Sequence, residues 1–158
     1  RKVLTLLAAA PLAACGFTPA YGPQGGAQAL SRNITVRAPE TPMDYLMTRE
    51  LEDRLGRTDT GDYLLDYTLT MEEERIAITA NNITRRFNLI GTVSYRLTTA
   101  GGMQVAKDTV ETFVGYSATG STVATRAARA DAERRLTTIL ADRITTRLIA
   151  VTPALTGA

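Results

Sequence analysis

Tyr63-Leu64-Leu65-Asp66-Tyr67-Thr68-Leu69-Thr70-Met71 changes character at almost every step. Side chains of an extended chain point alternately to opposite faces, so Tyr63, Leu65, Tyr67, Leu69 and Met71 share one face. Leu64, Asp66, Thr68, Thr70 and Glu72 share the other. A helical period would scatter both sets around a cylinder; only a strand with one buried face keeps them apart. The segment runs on through Glu73-Glu74-Arg75 into Ile76-Ala77-Ile78-Thr79, and Asn81-Asn82 then supplies residues that tolerate a turn.

Downstream the pattern returns. Phe87, Leu89, Val93, Tyr95 and Leu97 form an apolar face with Gly91 in step, which marks a bulge or a point of close approach. Asn88, Ile90, Thr92, Ser94 and Arg96 lie opposite. Gly101-Gly102 makes a tight hairpin to a third segment, Gln104 to Tyr116. Gly120-Ser121-Thr122 introduces a long helix from Thr122 to about Ala150, with Ala128, Ala132, Leu136, Ile139, Leu140, Ile144, Leu148 and Val151 on its apolar face. Pro153 is expected to end it, leaving 153–158 as a frayed tail.

Upstream, Asn33-Ile34-Thr35-Val36-Arg37 reads as a short strand closed by Pro39. Thr41 is placed to cap a helix, with Pro42 at its first position and Asp44 three residues after the cap. Met43, Met47, Leu51 and Leu55 make its stripe, with Leu46 beside them, and Gly56 closes it. The order is β-α-β-β-β-α, an α+β chain. Two helices packed on one face of a four-stranded mixed sheet form the simplest two-layer sandwich, because the strand-helix-strand start requires a crossover.

The first thirty residues follow another logic. Arg1 and Lys2 precede an apolar run from Val3 to Leu12, about 10 residues against the ~20 that span a bilayer, so 1–14 read as an export signal. Leu12-Ala13-Ala14-Cys15-Gly16 has the lipobox pattern of bacterial lipoproteins. Cys15 is then the lipid-attachment site, and two or three acyl chains on it make a firm anchor where one alone is marginal. Gly16, not Asp, follows the cysteine, which favours transfer to the outer membrane. The chain opens on Arg1, so its start is expected upstream. Glycine, proline and glutamine between Gly16 and Ala29 describe a tether, giving 15–30 as lipidated N-terminus and linker and 31–152 as one domain.

The whole chain carries 18 Lys+Arg against 16 Asp+Glu, but removing Arg1 and Lys2 leaves the two balanced. No basic excess remains to suggest a nucleic-acid partner. Past Cys15 every cation except Lys107 is arginine, the planar partner for phosphate and carboxylate. Histidine and tryptophan are absent and Cys15 is the one cysteine. That leaves no disulfide, no His/Cys zinc site and no Ser-His or Cys-His catalysis, and a non-enzymatic protein with no cofactor beyond its covalent lipid is expected.

Cys15-Gly16-Phe17-Thr18-Pro19-Ala20-Tyr21-Gly22 resembles the mature N-terminus of the LptE family of lipopolysaccharide-assembly lipoproteins, in which the anchor is followed by Gly-Phe-x-Pro-x-Tyr-Gly. Element order downstream, including the segment from Ser117 through Arg147, is similar as well. The resemblance implies the same two-helix, four-strand fold, an outer-membrane location and a place inside the LptD β-barrel as its plug. It also implies lipopolysaccharide as a partner. The Thr- and Arg-covered sheet face (Thr68, Thr70, Thr92, Ser94, Arg96) would suit a polar lumen wall, though an ordinary wet face looks the same. A stand-alone lipid-binding or shuttling lipoprotein is the alternative, and a carboxylate hydrolase a third reading.

Two basic pairs are candidate lipopolysaccharide contacts. Arg85 and Arg86, beside the hairpin tip, offer several charge-assisted donors to a phosphate, although charged residues also protect strand edges. Arg126 and Arg129, near the start of the last helix, form a second pair. Glu72-Glu73-Glu74 read as a solvated strand end, since alternation lets at most Glu72 and Glu74 share a site. Tyr63, Tyr67 and Tyr95 read as core residues.

Overall fold

The computed structural model describes residues 22, 26–78 and 84–156, and the side chains of Ala29, Ala77, Ile78, Thr84, Arg85 and residues 153–156 are not among those described. The elements are α1 (Gly26–Leu30), β1 (Ile34–Val36), α2 (Pro42–Leu55), β2 (Tyr63–Ile78), β3 (Thr84–Thr99), β4 (Gln104–Ser117) and α3 (Thr122–Thr156). The strands form one sheet in the order β1-β2-β3-β4. β1 lies parallel to β2, with Ile34 opposite Tyr63, and the other pairs are antiparallel. The mixed α+β sandwich expected from the alternation is the fold observed.

Burial follows the sequence pattern closely. Leu65 and Tyr67 of β2, Leu89, Val93, Tyr95 and Leu97 of β3, and Val110, Val114 and Tyr116 of β4 face one core. From the helices come Met47, Leu51 and Leu55, and Ala132, Leu136, Leu140, Ile144 and Leu148. Each buried leucine contributes about 1.5–3 kcal/mol by leaving water. Gly91 is a close-approach point and not a bulge: Met71 and Thr112 oppose it without a break in register. A Cβ there would lie 2.9 Å from both Leu136 Cδ2 and Leu140 Cδ1, so the missing side chain lets α3 settle on the sheet. The register shifts fall elsewhere, around Ala77 and between Leu97 and Thr98.

The start of α2 is built as its residues dictate. Thr41 Oγ1 accepts from the Asp44 N–H at 3.1 Å while Asp44 Oδ2 accepts from the Thr41 N–H at 3.1 Å, a reciprocal capping box. Gly56 ends the helix at φ 80°. Arg54 then ties α2 to α3 through Asp142 at 2.6 Å, and Thr138 donates to Glu50 at 3.2 Å.

Two differences from the sequence reading concern its ends. The segment read as tether contains α1, whose Leu30 is buried in the core. Pro153 does not end α3, which continues to Thr156. The lipobox, Cys15, Phe17 and Tyr21 lie outside the described residues, as does the turn at Asn81-Asn82. Among the described residues no helix is long and apolar enough to cross a membrane.

Candidate functional site

Four arginines were singled out from sequence, and topology gathers their positions at one end of the molecule. β3 begins there with Arg85 and Arg86, and Arg86 stands opposite Ser117, the last residue of β4. A short loop leads from Ser117 into α3, so Arg126 and Arg129 emerge at the same end. The side chain of Arg85 is outside the described set. Arg86 and Arg126 are exposed, and neither has a carboxylate within ion-pair distance among the described residues.

Arg129 is different. Its guanidinium lies 3.5 Å from Glu73 and 3.2 Å from Glu133. Glu73 also accepts a 2.6 Å hydrogen bond from the Tyr116 hydroxyl, and the Tyr116 ring stacks on Phe87 with centroids 5.3 Å apart. Burial first, and then the Glu73 carboxylate, push the Tyr116 phenol up to about 12, so it stays a donor. This cluster joins all three long strands to α3. Arg129 therefore serves as a clasp, and the arginines left presenting their charge outward are Arg86 and Arg126.

The start of α3 adds to that charge. Ser121 caps it, its Oγ accepting from the Ala124 N–H at 3.2 Å, but no acidic residue stands in the first turn. A helix N-terminus carries partial positive charge, and here nothing on the first turn cancels it. Arg126 reinforces it.

Among the described residues no helix covers the second face of the sheet, and its side chains line up in register. Asp66, Arg96 and Lys107 form one row, Thr68, Ser94 and Thr109 the next, then Thr70, Thr92 and Glu111, then Glu72, Ile90 and Phe113. Arg96 donates to Asp66 at 3.3 Å, the Ser94 and Thr109 hydroxyls meet at 3.0 Å, and Thr92 donates to Glu111 at 3.2 Å. The face is polar through most of its length; Ile90 and Phe113, the latter 62% exposed, make an apolar spot beside Glu72, and the next row towards the arginine end is Glu74, Asn88 and Gly115.

A further polar knot escaped the sequence reading. Arg37, just after β1, meets Glu40 at 3.1 Å, Asp44 at 3.3 Å and Asp66 at 3.6 Å, and lies 4.8 Å above the Tyr67 ring. Tyr67 donates to the Asp44 carbonyl at 3.0 Å and its hydroxyl meets that of Thr48 at 2.8 Å. Burial pulls the Arg37 pKa down, but Asp44 and its neighbouring carboxylates outweigh it and hold the group above its ordinary value. The knot locks β1 and α2 onto β2. Only Thr41 and Asp44 were legible beforehand, through the capping pattern. Tyr67 was expected in the core, and it is there.

Among the described residues no group of three His, Cys, Asp or Glu side chains could hold a metal ion. Where α3 crosses Gly91 the layers meet too tightly to admit another carbon atom. A surface groove lies between β4 and α3, lined by Tyr95, Val105, Lys107, Asp108, Arg147 and Val151.

Comparison with known proteins agrees with this architecture. A model of the LptE family, described as lipopolysaccharide-assembly, matches residues 31–148. The chain is similar to the structure of a candidate lipoprotein from Caulobacter crescentus CB15, at 27% identity over 80% of this chain and 96% of that one, with a TM-score of 0.66. It also resembles rare lipoprotein B from Shewanella oneidensis, at 15% identity over 78% of this chain and 96% of that one, TM-score 0.60. A lipoprotein B from Nitrosomonas europaea matches at 14% identity, 77% and 84% coverage, and TM-score 0.59. At the last two identities the likeness establishes the fold alone. Among curated proteins, none matches.

Proposed function

The chain belongs to the LptE lipopolysaccharide-assembly family, and from that premise we propose that it is a non-enzymatic outer-membrane lipoprotein, anchored through Cys15, that plugs and stabilises an LptD-type β-barrel and helps deliver lipopolysaccharide to the outer leaflet. The observation that carries the reading is the family match across nearly the whole domain. Two features of the molecule support its finer parts. The uncovered sheet face is a ladder of hydroxyls and paired charges, suited to hydrogen-bonding a polar lumen wall. The end that gathers Arg86, Arg126 and an uncompensated helix N-terminus suits the phosphates of lipid A.

The tight contact at Gly91 gives no support to the alternative of a stand-alone shuttle holding an acyl chain between helix and sheet. Depleting the protein from its cells should strip lipopolysaccharide from the surface while leaving its synthesis intact; unchanged surface lipopolysaccharide would overturn the assembly role. For the contact residues, Arg86→Glu combined with Arg126→Glu should weaken lipopolysaccharide binding about a hundredfold, each charge-assisted bond being worth about 1.5–3 kcal/mol. Arg129→Gln should lower stability more than binding. Identical titration curves for wild type and the double variant would remove Arg86 and Arg126 from the site.

A further inference from the structure

The two outer edges of the sheet are finished differently. Along β4 the backbone groups of odd-numbered residues face away from β3, and arginines of α3 reach round to three of their carbonyls. Arg135 donates to the Gly115 carbonyl at 3.4 Å, Arg143 to that of Glu111 at 2.5 Å, and Arg147 to that of Thr109 at 3.0 Å. The Thr109 N–H is taken by the carboxylate of Asp108 at 2.7 Å, which Arg147 holds in turn. Three outward carbonyls and one outward N–H are engaged this way, so a strand arriving on this edge would have to displace the α3 arginines.

β2 forms the opposite edge once β1 stops. β1 covers only Tyr63 to Leu65, and among the described residues the bond from the Arg37 N–H to the Leu65 carbonyl, at 3.0 Å, is the last along that side. Backbone groups of alternate strand residues point to the same side, so those of Leu69, Met71 and Glu73 face outward. Among the described residues nothing bonds to them. This open run carries its own charge. Glu72 and Glu74 are exposed and without an ion pair among the described residues, whereas Glu73 is turned to Tyr116 and Arg129 on the helix side.

We propose that the β2 edge from Leu69 to Arg75 accepts an extended basic segment of a partner protein as a fifth strand. Its backbone pairs with Leu69, Met71 and Glu73, and its lysine or arginine side chains lie against Glu72 and Glu74. Main-chain bonds give such strand addition its affinity, and side chains at alternate positions give it specificity. A second copy of this chain does not fit. Antiparallel pairing about this run would set Glu72 and Glu74 against the same carboxylates, and like charges facing across strands are destabilising. The chain's own β1 cannot be prolonged to cover the edge, because it turns away into α2 at Thr41 and Pro42. The inference stands on the two edges and does not rest on the lipopolysaccharide reading.

The test uses the full chain and a synthetic strand peptide alternating lysine with valine, followed by amide hydrogen exchange. The amides of Leu69, Met71 and Glu73 should gain protection of about tenfold or more. A peptide alternating glutamate with valine should give none. Glu72→Lys with Glu74→Lys, both on the solvent face, should keep the fold by circular dichroism and reverse the preference. The proposal fails if the three amides stay unprotected, or if both peptides protect them equally. It fails also if protection appears without peptide as protein concentration rises, since the edge would then serve self-pairing.

Discussion

At Gly91 one missing side chain sets the distance between the two layers. The sequence offered two readings of that glycine, and the unbroken register with Met71 and Thr112 decides for close approach. Gly91→Val would drive its side chain into Leu136 and Leu140, an overpacking that costs about 1–3 kcal/mol. Thermal unfolding should shift down by about 2–4 °C for each kcal/mol in a chain of this size; an unchanged midpoint would mean the layers are looser than described. The Tyr116 cluster makes a second prediction. A phenol raised to about 12 holds its proton in the folded chain after the unfolded chain, near 10, has lost it. The stabilisation is fully present below about pH 10 and is lost as pH climbs towards 12. Denaturant titrations across that window should show wild type losing stability relative to Tyr116→Phe, and parallel curves would refute the coupling to Glu73. None of this cluster was legible in sequence, because it depends on how three strands and a helix come into register.

Elements that carry their own local signals were the legible ones. Thr41, Pro42, Asp44 and Gly56 announce α2, since capping is a matter of neighbours along the chain. The long strands were read from alternation, and both helical stripes are buried where expected. Two misreadings share a cause: tertiary context outweighed local propensity. Five residues cannot hold a helix alone, and α1 exists because Leu30 is buried in the core. Pro153 costs a helix most in its interior, but here it falls within the last turn of α3, next to Thr152, which is buried in the fold and whose side-chain hydroxyl donates to the Leu148 carbonyl at 3.0 Å. The part that Arg135, Arg143 and Arg147 of α3 play at the strand edge could not be seen without β4 beside them. Replacing Arg143 and Arg147 with alanine should change stability by less than about 1 kcal/mol, as exposed pairs do. It should also bare the β4 edge, so sedimentation should show association that wild type lacks; a monomeric double variant would mean the edge needs no guard.

On the scale of the whole molecule, the sandwich explains how one domain can present unlike surfaces in fixed relation. Its helices bury one side of the sheet, leaving among the described residues a polar ladder on the other, a basic end, one edge held by arginines and one open edge. The architecture followed from periodicity, and the family from a signature that lies outside the described residues together with a match across 31–148. What the sequence could not separate was which cations clasp the fold and which remain outward, because Arg126 and Arg129 differ only in what the folded chain brings near them. The central claim is that this surface works inside a partner barrel. It is tested most directly by purifying the full-length, tagged protein from detergent-solubilised outer membranes and identifying what co-elutes. An LptD-type β-barrel should elute with it in a stable complex; recovery of the lipoprotein from that membrane fraction with no barrel attached would contradict the account.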